Sequence, residues 1–463
     1  MDALDLIVIG AGPAGYVGAI RAAQLGMKVA VIEKEYLGGT CLNVGCIPSK
    51  ALLDATHEYT LAKTRFASRG IKVGDVIVDL AALMEFKNKT VRTLTGGVGG
   101  LFKKHGIQHV KGRAQLGSAG SVLVESGGQT TTLAGSRILI ATGSEPVSLP
   151  NLPIDGARVL TSTEALSLSR VPERLLVVGA GAIGLELGSV WSRLGSKVTI
   201  VEFLDHIAAN ADGELAAALQ KSLQKRGMDF RLSSKVESVQ VQEDGVKVSI
   251  ISGDNQVEQT VDQVLVCVGR RPATRGLSLE GLGVIVDPRG FVHVDEHYQT
   301  NVAGIFAVGD CIGGAMLAHK ASEEAVAAVE LMAGKAGHVN YAAIPGIIYT
   351  DPELATVGLS EQEVRKQSTE IKVGKFPFAA NGRARCMDDT EGLVKIIADA
   401  KTDRVLGIGI LHSRASDLIG EATLAMEYSA SSEDLARTIH AHPTLTEAIK
   451  QAALGVDGRM TDL

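Results

Sequence analysis

The segment from Gly38 to Lys50, GGTCLNVGCIPSK, sets Cys41 and Cys46 five positions apart between glycines, with a lysine one helical turn beyond the second sulfur. Cysteines so spaced support three chemistries: a structural disulfide, half of a metal site, or a pair of sulfurs that exchanges electrons. A metal needs further ligands, and no cysteine or histidine follows at zinc-ribbon spacing; His57 is the nearby candidate. The five cysteines, at 41, 46, 267, 311 and 386, do not form a secreted disulfide framework in a chain of 463 residues. Residues five apart in a regular α-helix have Cα atoms roughly 8.5 Å apart, and a disulfide needs about 7 Å or less. A bridge between Cys41 and Cys46 therefore requires an irregular segment, which Gly45 can supply. The pattern predicts a helix from Ile47 through Ala55, whose positive end favours thiolate at the sulfurs. Lys50 either stabilises a nearby anion or is a solvated helix lysine.

Electron exchange needs a cofactor, and two further motifs supply places for one. LDLIVIGAGPAGYVGAIRAAQLGMKVAVIEK carries an apolar strand, Gly10-x-Gly12-x-x-Gly15, a helical pattern and a second strand ending on Glu33. LLVVGAGAIGLELGSVWSRLGSKVTIVE repeats the arrangement with Gly179, Gly181, Gly184 and Glu202, at a constant offset of 169 residues. A lone glycine triplet marks only a tight turn. A strand before it, a helix after it and an acid at the end of the next strand make the dinucleotide fingerprint. The first glycine turns the chain, the second admits the pyrophosphate, and the third lets helix pack on sheet with its N-terminus facing the anion. Glu202 fits a free ribose 2′-hydroxyl and repels a 2′-phosphate, and FLDHI after it offers no basic pair, so the second nucleotide is expected to be NAD.

The length suggests about three domains. The net charge of −6 offers no basic field for nucleic acid or anionic lipid. The 53 glycines exceed the usual share, which places the excess where backbone approaches ligands. The N-terminus lacks a basic leader, its apolar run is broken by Gly-Pro-Ala-Gly, and no segment has transmembrane character, so a soluble cytoplasmic protein is expected. RILIATGSEP and QVLVCVGRRP are two similar strands that close the stretches begun by the two fingerprints. TNVAGIFAVGDC reads as a strand returning to the first sheet. From Gly346 the pattern changes: EGLVKIIADAKTDRVLGIGILH suggests an antiparallel hairpin, and DLIGEATLAMEYSAS and TLTEAIKQAAL suggest amphipathic helices. Thr444-x-x-Glu447 has capping-box spacing.

GGTCLNVGCIPSK, the paired fingerprints, AVGDC and HAHPTLTE together resemble, in order and over essentially the whole chain, the flavin-dependent pyridine nucleotide–disulfide oxidoreductases, and among them the branch that oxidises dihydrolipoamide. The resemblance implies an α/β fold with two Rossmann-like domains and a C-terminal α+β dimerisation domain. Residues 1–145 and 271–342 would bind FAD and carry a redox disulfide, 146–270 would bind NAD, and 343–463 would pair two copies. It implies FAD contacts at Gly10, Gly12, Gly15, Glu33, Lys50, Gly112, Thr142, Gly143, Ser144, Asp310 and Ala318. It places Gly179, Gly181, Gly184, Glu186, Glu202 and Gly269 along the NAD path, although Glu186 also reads as a helix-surface acid. Catalysis would fall to Cys41, Cys46 and Lys50 with His442 as acid–base, oriented by Glu447; His440 is the decoy. No metal is implied. The family's dimer sends this histidine into the partner's site, and the partners implied are a second copy and lipoyl-carrying proteins of 2-oxoacid dehydrogenase or glycine cleavage complexes. A glutathione-reducing member would need basic residues after Glu202, a mercury-reducing one a cysteine pair near the C-terminus, and a single-thiol NADH oxidase only one of the two cysteines. A docking subunit without catalysis would not need the intact redox set.

Overall fold

A computed structural model describes residues 4–118 and 120–462, which fall into two compact units. The first unit comprises Met1–Leu52, Asp79–Val147 and Gly269–Val339. Its sheet is built on the apolar strand Leu4–Ile9, which pairs in parallel with Val29–Glu33 on one side and with Gln129–Ile140 on the other. The parallel arrangement follows from the crossover helix Pro13–Gln24, whose Pro13 lies at the helix start where no amide hydrogen is needed. Ile305–Ala307 adds in parallel to the end of Gln129–Ile140, which is the return predicted for TNVAGIFAVGDC. The first half of Gln129–Ile140 instead joins the antiparallel meander Arg113–Leu116 and Ser121–Ser126. Leu6, Val8 and Leu139 pack on one face of the sheet and Ile7, Ile9 and Ile138 on the other, as alternation along a strand requires.

One helix in this region is longer than the sequence pattern suggests. The helix predicted from Ile47 through Ala55 runs Cys46–Thr64, and Cys41 lies in a separate short helix, Gly39–Val44. Leu80–Lys104 forms a 25-residue helix through TGGVGG, capped by the Asp79 carboxylate on the Ala82 amide. The two similar strand ends pair with each other: Ser144–Pro146 and Arg270–Pro272 form an antiparallel ribbon, with Arg271 opposite Glu145.

The second unit comprises Leu53–Val78, Ser148–Val268 and Asn340–Leu463. It holds a parallel sheet in the order Asp229–Arg231, Lys197–Val201, Arg174–Val178, Gln263–Val266, Val159–Leu160. A three-stranded antiparallel meander, Ser234–Gln242, Gly245–Ser252 and Asn255–Val261, packs against it through Val236, Val248 and Ile250. The C-terminal part is an antiparallel sheet in which Leu393–Asp399 and Val405–His412 form the expected hairpin, with a register shift between Ile397 and Ala398. Helices Ala415–Glu427 and Glu447–Gly455 bury Leu418, Ala422, Ile449 and Ala452 in its core. Among the described residues no helix is long and apolar enough to cross a membrane.

Candidate active site

The two fingerprints fold into near-identical geometry. Gly10 and Gly179 have φ of 101° and 104°, the left-handed region that glycine tolerates. A Cβ on Gly10 would stand 2.4 Å from the Ala141 carbonyl oxygen, and one on Gly179 would stand 2.4 Å from that of Cys267. A Cβ on Gly15 or Gly184 would fall 1.9 or 2.1 Å from the carbonyl oxygen of the turn's first glycine, so helix and turn touch backbone to backbone. Each terminal acid is tied in the same way. Glu33 accepts from the amides of Ala11 and Glu35 at 2.7 and 2.8 Å, and Glu202 from those of Ala180 and Leu204 at 2.7 and 2.8 Å. A carboxylate held at both oxygens is aimed before a ribose arrives. Gly112 lies beside Glu33, its amide donating to the Glu33 carbonyl at 2.9 Å. Gly12 and Gly181 leave room at their Cα atoms; a Cβ on Gly12 meets only Gly39 Cα, at 3.9 Å, and one on Gly181 meets nothing.

The cysteine segment is built onto the first turn. The Gly38 amide donates to the Ala11 carbonyl at 2.8 Å, and a Cβ on Gly39 would stand 2.6 Å from Gly12 Cα. Cys41 lies within its own helix and Cys46 opens the next, with the break on Gly45 at φ −146°, ψ −113°. That break is the irregularity the spacing demanded, since it brings two residues five apart into contact. Both are free cysteines, and the Cys41 thiol hydrogen-bonds the side chain of Cys46. This bond, burial and the Cys46 charge push the Cys41 thiol up, against the Lys50 charge and the Cys46 amide. Of the two sulfurs, Cys46 opens the long helix Cys46–Thr64, whereas Cys41 lies inside the short helix before it and its thiol is pushed up. Tyr16 lies close enough that burial, then Cys41 and Cys46, raise its hydroxyl.

The same unit gathers the remaining candidates for FAD. Ser144 donates to the Asp310 carboxylate and accepts from Arg270 Nε at 2.7 Å. Gly143 has φ +70° with open space at its Cα, and Thr142 Oγ1 is buried without a hydrogen-bond partner. A buried hydroxyl left unpaired beside an open glycine fits a polar ligand that completes it, so these residues fit the flavin nucleotide. Ala318 is the first residue of helix Ala318–Met332. Gly269 falls in this unit at φ +113°. Arg270, which the sequence reading passed over, is pushed below its usual value by burial, against the charges of Asp310, Cys46 and Glu145. Its signal in the sequence was a cation in the ribbon next to the strand end.

Glu186 is not a surface acid. It is 4% exposed and accepts from the Tyr349 amide at 3.0 Å, because helix Ala182–Arg193 is buried on most of its faces. In the C-terminal part, Glu447 divides its carboxylate: one oxygen lies 2.9 Å from His442 Nδ1 and the other accepts from the Thr444 amide at 2.8 Å. The capping box is half formed. Glu447 reaches back, but the Thr444 hydroxyl bonds Ala441 and Thr446 instead, and Thr446 takes the cap position. These contacts hold the Glu447 carboxyl below its usual range despite burial. His442 is 79% exposed, leaving Nε2 open. His440 has both nitrogens engaged, 2.9 Å from the Thr438 carbonyl and 2.7 Å from Glu421. Cys267 and Cys311 are pushed up to about 12 by burial, whereas Cys386 is exposed at the end of the short helix Gly382–Cys386.

Comparison with known proteins identifies the family. Residues 4–325 match the pyridine nucleotide-disulphide oxidoreductase model and 344–453 its dimerisation domain. The mitochondrial dihydrolipoyl dehydrogenase of Pisum sativum is 51% identical over 98% of this chain and 91% of its own length. That of Homo sapiens is 50% identical over 97% and 90%. Among solved structures, LpdA from Mycobacterium tuberculosis superposes with a TM-score of 0.90 at 28% identity, covering 97% of this chain and 99% of that one. The chain belongs to the pyridine nucleotide-disulphide oxidoreductase family, with its two nucleotide folds and its dimerisation domain.

Proposed function

We propose that the chain oxidises dihydrolipoyl dithiols to the cyclic disulfide and reduces NAD, through Cys41, Cys46 and bound FAD. One observation carries this reading: the segment that brings the sulfurs of Cys41 and Cys46 together is anchored on the first nucleotide turn, where Gly38 and Gly39 press against Ala11 and Gly12. FAD, when bound, accepts the electron pair from the dithiol and passes it as hydride to NAD. The rest is protein chemistry. With Glu447 holding Nδ1–H, His442 Nε2 takes a proton from one substrate thiol. The substrate thiolate attacks Cys41 Sγ of the oxidised pair, the Cys41–Cys46 bond breaks, and Cys46 leaves as thiolate at its helix N-terminus, near the Lys50 charge. The second substrate thiol attacks the substrate sulfur of the mixed disulfide, which breaks that sulfur's bond to Cys41 and closes the cyclic product, and the proton this thiol gives up leaves Cys41 as thiol. The upward push on Cys41 suits this division of labour.

By the same reading residues 1–145 and 271–342 bind FAD, 146–270 bind NAD, and 343–463 pair two copies. The dimerisation-domain match supports a homodimer, in which His442 serves the partner's cysteines. The substrate is carried by lipoyl domains of 2-oxoacid dehydrogenase or glycine cleavage complexes. A reducing, cytoplasmic compartment is proposed from the cysteine usage; the pea and human relatives are mitochondrial. The test is dihydrolipoamide-dependent NAD⁺ reduction by the purified chain, with NADP⁺ and Cys46→Ser as controls. Loss of turnover in Cys46→Ser with NAD⁺ preferred supports the reading. A preference for NADP⁺, or normal turnover without Cys46, overturns it.

A further inference from the structure

Two charged side chains that the mechanism does not use are completely enclosed in the first unit. Lys320 and Glu324, one turn apart on helix Ala318–Met332, are 2% and 0% exposed. They pair at 2.9 Å. Both also bond one short loop. Glu324 Oε2 accepts from the Gly309 amide at 2.8 Å, and Lys320 Nζ donates to the carbonyls of Gly313 and Gly309 at 2.6 and 3.4 Å. The three N–H groups of the ammonium thus meet three acceptors, so Lys320 has none left for a phosphate. The loop gripped at both ends, Gly309–Ile312, carries Asp310, whose carboxylate meets Ser144. Gly309 and Gly313, with φ of +79° and +87°, flank this 3-10 turn, which the Gly313 amide closes by donating to the Asp310 carbonyl at 3.2 Å.

A buried ion pair stabilises a fold less than well-packed apolar side chains of similar volume. What it does here is geometric: an anion and a cation locked together hold a donor and two acceptors of the loop at fixed separation. We propose that Lys320 and Glu324 are positioning residues that set the Asp310 carboxylate for the flavin nucleotide, acting on FAD retention only through that loop. This rests on the reading of Asp310 as a flavin contact.

The experiment follows the release of FAD from the full-length holoenzyme by the rise of free-flavin fluorescence. Lys320→Met is expected to speed release about tenfold, as loss of a charge-assisted hold does. The paired variant Lys320→Met/Glu324→Met leaves no uncompensated buried charge, so it tests the same point if the single variant does not fold, and it is expected to release FAD at a similarly raised rate. In an Asp310→Asn background the further change is expected to shrink to about threefold or less, because neighbours acting through one group are not additive. Release at the wild-type rate from the paired variant, or full additivity with Asp310→Asn, overturns the positioning role. An Asp310→Asn variant that itself keeps FAD as tightly as wild type overturns the underlying assignment of Asp310, which is a separate and recognisable result.

Discussion

Replacing Glu447 with glutamine should do more harm than replacing it with alanine. The carboxylate accepts two bonds, at 2.9 Å from His442 Nδ1 and 2.8 Å from the Thr444 amide. An amide has one acceptor, and the Thr444 N–H can only donate, so the glutamine oxygen is expected to take that bond. Its NH₂ then faces Nδ1, which must become an acceptor, and the proton moves to Nε2. Nε2 can no longer take a proton from substrate. Loss of a charge-assisted bond costs about 1.5–3 kcal/mol. Turnover of dihydrolipoamide with NAD⁺ should therefore fall at least about tenfold, and up to about a hundredfold, in Glu447→Gln. Glu447→Ala leaves Nδ1 to water, imposes no tautomer, and should fall less at neutral pH. NADH-dependent reduction of ferricyanide, which takes no proton from a thiol, should change by less than about twofold in either variant. A glutamine variant within threefold of wild type, or one that loses both activities equally, would refute the tautomer reasoning.

Three other perturbations follow from the same geometry. Glu202→Ala removes the group tied to Ala180 and Leu204 and should raise the KM for NAD⁺ about tenfold or more while FAD content is unchanged; absorbance and steady-state kinetics read both. Lys395 is 3% exposed and holds Asp212, Glu214 and Glu361 at 2.9, 3.0 and 2.7 Å. Lys395→Met should destabilise the second unit by about 3–5 kcal/mol in urea unfolding, because the buried Asp212 loses its cation, while Glu214 and Glu361 keep Lys375 and Arg365. His412 is fully buried, accepts from the Arg414 amide at Nδ1 and bonds the Asp389 carbonyl through Nε2, and burial lowers its pKa below 6.5. A depressed folded value means that the unfolded chain binds the proton first. The contribution of His412 is thus complete above pH 6.5 and is lost as pH falls from there toward the folded value. His412→Gln should flatten the dependence of the melting temperature on pH over that acid window, and an unchanged slope would count against it.

Much of this was legible because the relevant physics is local. A strand ending in Gly10-x-Gly12-x-x-Gly15 and closing on Glu33 permits few other conformations, and its copy at offset 169 folds the same way. Other features were hidden because their causes lie elsewhere in the chain. Four glycines in TGGVGG weaken a helix, yet the helix runs through them, since its buried Val98 and Phe102 pack into the first core. Lys320 and Glu324 stand at i, i+4, a spacing that usually signals a solvated surface pair, and only the enclosing core reveals a buried clamp. Glu186 read as surface because an acid on a helix usually is; the partner that engages it, Tyr349, is 163 positions away.

What the sequence alone determined was which groups could react: the paired sulfurs, the two acids that close nucleotide turns, and the histidine followed by proline and glutamate. Spacing and residue type suffice for that, because chain geometry over a few residues is nearly independent of context. The tertiary structure decided how each group is disposed to react. It set Cys41 against Cys46 across the Gly45 break, divided the Glu447 carboxylate between a ring nitrogen and a backbone amide, and enclosed His440 while leaving Nε2 of His442 open. Protonation, tautomer and exposure depend on burial and on partners brought from distant parts of the chain, and those become known only when the chain has folded.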